Sequence, residues 1–421
     1  MKVGIIGSGG REHALCYAIS QSSKVEQIYC FPGNAGTNKI AKNIDLDINN
    51  FELLKNFIKN KKLDIIVVGP ERPLVDGIVD FLETNKIKVF GPNKLASELE
   101  GSKIFTKKIC EKYSIPTANF GIFNNVENAF KFLNKCVYPI VIKADGLAAG
   151  KGVYICETKK QSNDAVNEIF DGKFGETNQV LIEEFLKGEE MSFFIISDGK
   201  SFKMFGTAQD HKRIFEGDQG KNTGGMGAYS PSRLNTKFLE NKIVKKIIKP
   251  TLDYLKNENG KYIGFLYAGL MIKDDEPYLI EYNVRMGDPE CQTILPLLKN
   301  DFVEVLKNCM NGTLNKLELE WEDKKSICIV LASKGYPQNF NKNIFIENLE
   351  NFKHSNNRFI FHAGTKLVDK KFYSTGGRVL NFVSIGSNLK SARDETLNLI
   401  KKLNWRYGHY RRDIAFKVIK N

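Results

Sequence analysis

Three stretches carry residue types whose spacing suits phosphate chemistry. The first is IVIKADGLAAGKGVYIC, Ile140 to Cys156. It superficially matches the G-x-x-x-x-G-K-[ST] phosphate loop, but Gly146 and Gly150 are one residue too close. Gly152 also stands where a metal-binding hydroxyl is needed, and a strand follows in place of a helix. The stretch therefore predicts a β-hairpin with a mobile Gly/Ala-rich tip. Bare amides in such a tip can close over phosphate oxygens, and Lys143 and Lys151 add two cations suited to the phosphates of ATP. The second stretch, QVLIEEFLKGEE from Gln179 to Glu190, is an apolar strand running into a linker. Such a linker can offer backbone groups to adenine, and Glu189 can accept from ribose hydroxyls. The third is YLIEYNVRMGDPECQ, Tyr278 to Gln292, in which Leu279, Glu281 and Asn283 share a strand face by period two. Glu281 and Asn283 are hard oxygen donors suited to Mg²⁺ or Mn²⁺. Arg285 can neutralise developing phosphate charge. Asp288 and Pro289 read as the N-cap and first residue of a helix.

A fourth glycine cluster opens the chain: GIIGSGGREH, Gly4 to His13. Gly7 and Gly9 fit the dinucleotide fingerprint G-x-G-x-x-G, which makes a nicotinamide-dependent oxidoreductase one alternative. The third glycine place holds Glu12, however, and the end of the second strand (Tyr29 to Asn34) lacks the acidic residue that grips the NAD ribose. Both departures weigh against NAD. Exposed amides at a helix N-terminus still suit an anion, and Gly9 and Gly10 are expected at a substrate-phosphate rim.

These residues need elements to hold them. Over the first hundred residues, strands at Lys2–Ile6, Gln27–Phe31, Asp64–Val68 and Lys88–Phe90 alternate with helices at Arg11–Gln21, Phe51–Lys61 and Leu74–Asn85. That predicts a parallel sheet with ligand-binding loops at its carboxyl rim. Ser102 predicts an N-cap for a helix over Lys103–Tyr113. A smaller α/β stretch covers about 119–184, followed by antiparallel strands around Asp198-Gly199 and at Gly264–Ile272 and Tyr278–Asn283. Between them lie a polar loop (Asp210–Pro231) and a long helix, Thr236–Asn257. The charged stretch Glu318–Lys325 marks a last boundary, before strands at Ser326–Ala332, Arg358–His362 and Arg378–Ser384 and a helix at Leu389–Leu403. The expected domains are 1–101, 102–322 with a lid inserted at about 119–184, and 323–421.

Composition narrows the class. At 421 residues the chain is too long for one ordinary core. The net charge of +13 is spread through the chain without a basic block, which suits a small phosphorylated substrate better than nucleic acid. The eight cysteines form no C-x-x-C pair, and the five histidines are too scattered for a ligand cluster. No apolar run is long enough to span a membrane, and no signal peptide is expected, because Gly7 to His13 interrupts any apolar h-region. A cytoplasmic monomer is expected.

Taken in order, GSGGREHAL, PGNAGT, VGPERPLVDGIVD, LEGSKIFTK, VIKADGLAAGKGV, IEEFLKGEE, QDHKR, NTGGMGAYSP, GFLYAGLM, RMGDPECQ, HAGTK and GGRVL resemble the ATP-grasp superfamily. Within it they are similar to the glycinamide ribonucleotide synthetase family, over nearly the whole chain. The resemblance implies a Rossmann-like N-terminal domain, a central ATP-grasp fold with a mobile lid and a small C-terminal α+β domain. It implies ligation of glycine to 5-phosphoribosylamine, with ATP and Mg²⁺ or Mn²⁺, through a glycyl phosphate. Lys103 and Lys143 match the family's ATP-phosphate lysines, and Gly146, Gly150, Lys151 and Gly152 lie in its lid. Glu183, Glu184, Phe185 and Leu186 match the adenine hinge, Glu189 the ribose contact, and Glu281 and Asn283 the metal ligands. Asp210 and Lys212, with Arg285, fall at catalytic positions. Gly224, Gly225, Met226, Asp288 and Pro289, with Gly9 and Gly10, fall near the substrates. Another ATP-grasp carboxylate–amine ligase is the alternative within the superfamily. Three departures stand out: Ile214-Phe215-Glu216 after QDHKR, Arg72 for a small residue, and Asp413-Ile414-Ala415 where the family has Asp-Ile-Gly.

Overall fold

In the computed structural model, which describes residues 1–147, 152–175 and 179–419, the chain builds three large sheets. The first is assembled from β1 (Lys2–Gly7), α1 (Gly10–Ser20), β2 (Gln27–Pro32), β3 (Lys42–Asn43), α2 (Phe51–Lys61) and β4 (Ile65–Val68), then α3 (Glu71–Val75), α4 (Ile78–Thr84) and β5 (Val89–Phe90). All its strands are parallel, in the order β3-β2-β1-β4-β5. Val3, Ile5 and Ile6 are buried on both faces of β1, as a sheet sandwiched between helices demands. The helix expected over Leu74–Asn85 is two helices, because Gly77 turns left-handed at φ +92° between them.

α5 (Lys94–Gly101), which the sequence reading did not anticipate, leads into α6 (Lys103–Lys112). The Ser102 hydroxyl accepts from Phe105 N at 3.0 Å, as expected of an N-cap. Next comes a four-stranded sheet, β6 (Phe120–Phe123), β7 (Ile140–Ala144), β8 (Val153–Cys156) and β9 (Val180–Glu184), in the order β6-β9-β7-β8. α7 (Val126–Leu133) and α8 (Lys159–Phe170) cover it and give it a separate core around Leu133, Ile142, Val166 and Ile182. β7 and β8 form the expected hairpin, closed by Ala144 N donating to Gly152 O at 2.8 Å. Gly150 and Lys151 lie outside the described residues.

The third sheet contains β10 (Glu189–Asp198), β11 (Phe202–Asp210), β14 (Gly227–Ser230), β15 (Ile263–Lys273), β16 (Glu276–Asn283), β17 (Lys325–Ser333), β18 (Arg358–His362) and β21 (Arg378–Gly386). It runs β16-β15-β10-β11-β14-β17-β21-β18 without a break, so strands from the central and C-terminal regions share one sheet. The stretch read as a polar loop after Asp210 is in fact a long hairpin. β12 (Arg213–Phe215) pairs with β13 (Gln219–Asn222), and Thr223 N, Met226 N and His211 N extend the ladder back to β11 and β14. The helix expected over Thr236–Asn257 is interrupted: α9 (Lys237–Ile243) and α10 (Lys249–Asn257) are joined by a wider turn at Val244–Ile248. Pro250, which has no N–H to give the preceding turn, accounts for it.

α11 (Glu290–Ile294) starts after Pro289, so Asp288 is not the N-cap expected of it. α12 (Phe302–Asn311), the β19–β20 hairpin (Thr365–Val368 and Lys371–Ser374), α13 (Leu389–Leu403) and β22 (Gly408–His409) complete the chain. Among the described residues no helix is long and apolar enough to cross a membrane. All eight cysteines are free and all but Cys136 are buried.

Candidate functional site

The residues expected on the nucleotide side gather on β7, β9 and the start of α6. Lys143 is buried, with Nζ 2.6 Å from Glu183 Oε2. The other carboxylate oxygen, Oε1, lies 2.7 Å from the buried Nζ of Lys107. Burial alone would raise the Glu183 carboxyl, but Lys143 and Lys107 hold it below its usual range. This bears on what the expected hinge can offer a nucleotide. The Glu183 side chain is committed to two lysines, and the backbones of Glu183 and Glu184 are paired within the lid sheet. The Glu184 carboxylate accepts from Asn119 N at 3.0 Å and Nδ2 at 3.1 Å. Backbone unpaired by strands begins only at Phe185 and Leu186. Glu189 opens β10, with its carboxylate on Arg233. Lys103 Nζ donates to Gly146 O at 2.9 Å, and Asp145 braces the same helix end by accepting from Ser102 Oγ and Ile104 N. Burial lowers the Lys103 ammonium, while Glu281 favours its charge.

Glu281 and Asn283 stand on β16, but Leu279 does not share their face. A register shift at Gly269/Leu270 leaves Ile280 as an extra residue, and Leu279 turns into the core beside Tyr282 and Val284. The bulge therefore aims Ile280 and Glu281 into a small cavity that is also lined by Glu190, Ser192, Asp210, Lys212 and Tyr267. Lys212 Nζ lies 2.6 Å from Glu190 Oε2. Ser192 Oγ lies 2.9 Å from Tyr267 OH and 3.1 Å from Glu290 Oε1. Burial, then the nearby Glu290 carboxylate, push the Asp210 carboxyl well up. The cavity wall thus carries a cation beside carboxyl groups, and among the described residues no cluster of three or more His, Cys, Asp or Glu could hold a metal alone. A pair of hard oxygens fits Mg²⁺ or Mn²⁺, which keep most of their coordination for water and phosphate.

Arg285 is held between two carboxylates, Nη2 at 2.7 Å from Glu100 and Nε at 3.3 Å from Glu71. Its charge is therefore largely spent on bracing β16 against the first sheet. Arg72, one of the departures from the family pattern, points outward to Asp76 at 2.9 Å and is a surface charge.

The remaining residues meet where α1, α11 and β21 converge. The amides expected to face an anion are mostly occupied. Gly9 N donates to Glu12 Oε2 at 2.6 Å, and Arg11 N to Asp288 Oδ2 at 3.1 Å. A Cβ on Gly10 would sit 2.2 Å from Asn381 Nδ2, so close packing is what requires glycine there. Asp288 also accepts from Gln292 Nε2 at 2.8 Å and lies 3.3 Å from Arg378 Nη1. Arg378 in turn donates to Gly224 O. Gly225 is left-handed at φ +107°, and a Cβ there would meet Pro289 Cδ at 2.6 Å and Asp210 Oδ1 at 2.7 Å. Gly9, Gly224, Gly225, Asp288 and Pro289 are thus brought together, whereas Met226 is not presented with them. Its side chain is fully buried with Ile214 and Ala332, and its N–H and C=O are taken by His211 and Val330.

Sequence reasoning missed Lys107, Glu290, Tyr267 and Arg378. Lys107 was recoverable from its spacing, one turn after Lys103 on the same helix. Arg378 lies inside the GGRVL stretch but carried no mark of its partners.

Behind α1, three histidines far apart in sequence form one cluster. The His13 ring lies 5.5 Å from that of His362 and 5.9 Å from that of His354, and His362 N donates to His13 Nδ1 at 2.8 Å. Burial lowers all three, His362 to about 3. Below the ordinary value of 6.5 the unfolded chain takes up a proton that folded His362 refuses, so this stabilisation is complete above 6.5 and shrinks as pH falls. Burial pushes Glu100 up to about 7, which tilts stability in the opposite sense. The clean observable is therefore a difference. Between pH 7 and pH 5 the urea-derived stability of wild type should fall by about 2 kcal/mol relative to His362→Gln. A constant difference across that range would contradict the neutral, buried imidazole.

Models of the phosphoribosylglycinamide synthetase N domain, ATP-grasp (A) domain and C domain match residues 1–100, 101–291 and 326–417. The chain belongs to the phosphoribosylglycinamide synthetase family. It is 45% identical over 417 residues to the phosphoribosylamine–glycine ligase of Caldanaerobacter subterraneus subsp. tengcongensis, covering 99% of each chain. Identity to the ligase of that name from Agrobacterium fabrum is 46% over 420 residues, covering 100% of this chain and 99% of the relative. The crystal structure of the Thermotoga maritima phosphoribosylamine–glycine ligase superposes with a TM-score of 0.85 at 34% identity, covering 98% of this chain and 100% of that one. The biotin carboxylase domain of Hydrogenobacter thermophilus 2-oxoglutarate carboxylase, in complex with MgADP, ADP and bicarbonate, shares the fold alone. Its TM-score is 0.73 at 17% identity, covering 95% of this chain and 89% of that one.

Membership in this family makes the protein an ATP-grasp ligase of purine biosynthesis. It also disposes of the dinucleotide reading of the first loop. Glu12 fills the third glycine place with a carboxylate that caps Gly9 and packs against Gly69, where a Cβ would lie 2.2 Å from its Oε1. The same carboxylate is paired with Arg11 Nε at 2.7 Å, so it is a structural brace of the loop and α1.

Proposed function

We propose that this chain joins glycine to 5-phosphoribosylamine at the expense of ATP, through a glycyl phosphate, giving glycinamide ribonucleotide, ADP and phosphate. The observation that carries this reading is the small cavity between Lys212, Asp210 and Glu281, set beside the lysine-rich nucleotide side. A cavity with one cation and carboxyl groups at separate points suits a small zwitterion, with the glycine carboxylate toward Lys212 and its ammonium toward Asp210. Lys103 and Lys143 face the ATP phosphates, with Gly146 and Gly152 flanking the lid tip. Phe185 and Leu186 offer free backbone to adenine, and Glu189 reaches the ribose.

In the first step a glycine carboxylate oxygen attacks the γ-phosphorus and ADP leaves. In the second the amine of 5-phosphoribosylamine attacks the acyl carbon, and the tetrahedral intermediate expels phosphate and loses a proton. Glu281 and Asn283 would hold Mg²⁺ or Mn²⁺, which supplies charge neutralisation at the phosphates when bound. The protein's share is positioning and fixed charge. The phosphoribosyl group is assigned to the junction of Gly9, Gly10, Gly224, Gly225, Asp288 and Pro289, with Arg378 as a nearby cation. The working form is read as a cytoplasmic monomer divided at 1–101, 102–322 and 323–421.

The test is purified protein with ATP, Mg²⁺ and glycine, with 5-phosphoribosylamine generated in place. ADP release should require both co-substrates. ADP release that ignores glycine, or is absent with all components, sinks the proposal.

A further inference from the structure

The C-terminal segment holds the hairpin that carries Asp210 and Lys212 by an unusually dense set of contacts. Ala415 N donates to His211 Nε2 at 3.1 Å, and His409 Nε2 donates to Ile214 O at 2.9 Å. Arg411, fully buried, grips Asp413 with two nitrogens, each at 2.8 Å. Its third nitrogen donates to Arg213 O at 3.1 Å and Asp218 Oδ1 at 2.9 Å. Asp413 Oδ2 accepts from Gly217 N at 2.8 Å, and Arg412 Nε lies 2.8 Å from Glu216 Oε1.

The departure Ile214-Phe215-Glu216 is accommodated by this segment. Ile214 is buried against Met226 and Ala332, Phe215 meets the His409 ring edge-on at 5.8 Å, and Glu216 takes Arg412. The other departure is less comfortable. Ala415 sits at φ +68°, where alanine is strained and glycine is not. Ala415→Gly should raise unfolding free energy by about 0.5 kcal/mol, the relief of strain less the added entropy of the unfolded chain. A loss of stability in chemical denaturation would contradict that account.

We infer that Arg411 is a positioning residue for glycine binding, acting through the 211–218 hairpin on Asp210 and Lys212. Along an extended strand alternate side chains point to opposite sides. His211 is buried on the C-terminal segment, while its two neighbours line the cavity. Fixing His211 from behind therefore fixes both neighbours in front. Burying a guanidinium with full pairing is a poor way to gain stability alone, because apolar packing does as well or better. What the planar fork adds is register: Asp413, Asp218 and the Arg213 carbonyl are satisfied together in one placement of the hairpin. Arg411 does not line the cavity, so its effect must pass through the loop.

The inference rests on the glycine pocket proposed above, and steady-state kinetics of wild type, Arg411→Lys and Asp218→Asn test it. Arg411→Lys keeps the charge and loses the fork. Asp218→Asn weakens the same clamp from a partly exposed partner and leaves the buried guanidinium on Asp413. The KM for glycine should rise about tenfold or more in Arg411→Lys and severalfold in Asp218→Asn, with the KM for ATP within twofold of wild type in both. A glycine KM within twofold of wild type in folded Arg411→Lys overturns the inference, as does an equal rise in both KM values. If Arg411→Lys does not fold, Asp218→Asn decides alone by the same split. Wild type that does not ligate glycine would instead refute the proposed reaction, so the two failures are distinguishable.

Discussion

Glu281→Ala is expected to lower kcat by about a thousandfold while leaving the thermal midpoint close to that of wild type. The size follows from what a metal-bridged phosphate group contributes to a phosphoryl-transfer transition state, several kcal/mol. The small cost in stability follows from where Glu281 sits. Its carboxylate faces the cavity, beyond the bulge at Ile280, while Leu279 and Tyr282 carry the core side of β16. Removing it also takes a negative charge from beside Lys103 and Lys212, whose ammonium groups it favours. ATP binding measured without metal should therefore be unchanged or tighter, and the dependence on Mg²⁺ concentration should weaken. Circular dichroism and a thermal melt separate this outcome from unfolding. Retention of a tenth or more of the activity in the folded variant would remove Glu281 from the metal site.

Much of this architecture was legible because local signals agreed with the tertiary fold. The parallel sheet follows from short apolar runs separated by amphipathic helices, and Ser102 and Asp198-Gly199 behave as their local chemistry dictates. The misreadings share a different cause. Period two places Leu279 with Glu281, but a one-residue bulge breaks the period, and nothing in Leu-Ile-Glu announces a bulge. The segment after Asp210 is rich in glycine and charge and so reads as loop. It is a hairpin whose two strands pair with each other, and side chains of the C-terminal segment, some two hundred residues away, brace it, as Arg411 does at Arg213 O. Five scattered histidines gave no sign that three would meet, since β18 and α1 are brought together only by the assembled core. For the site, residue types pointed to Glu281, Asn283 and Lys143. What those types could not show was occupancy: which carboxylate is already spent on which cation.

Glu183 is the sharpest instance, and Glu183→Gln is expected to cost about 3–5 kcal/mol of stability. Its carboxylate lies 2.7 Å from Lys107 and 2.6 Å from Lys143, and both lysines are buried. Glutamine keeps the volume and loses the charge, so two ammonium groups remain in a region that water cannot reach. One must deprotonate or the lid sheet must open, because β9 is the strand that joins β6 to β7. The same substitution frees Lys143 from its fixed place, so the KM for ATP should rise even in whatever fraction remains folded. Lys107→Met in the Glu183→Gln background removes one of the two orphaned charges and should recover part of the loss, giving a double variant more stable than Glu183→Gln alone. A loss below about 1 kcal/mol, or a double variant that is simply additive, would mean that water reaches the lysines and that the pair is not a buried one.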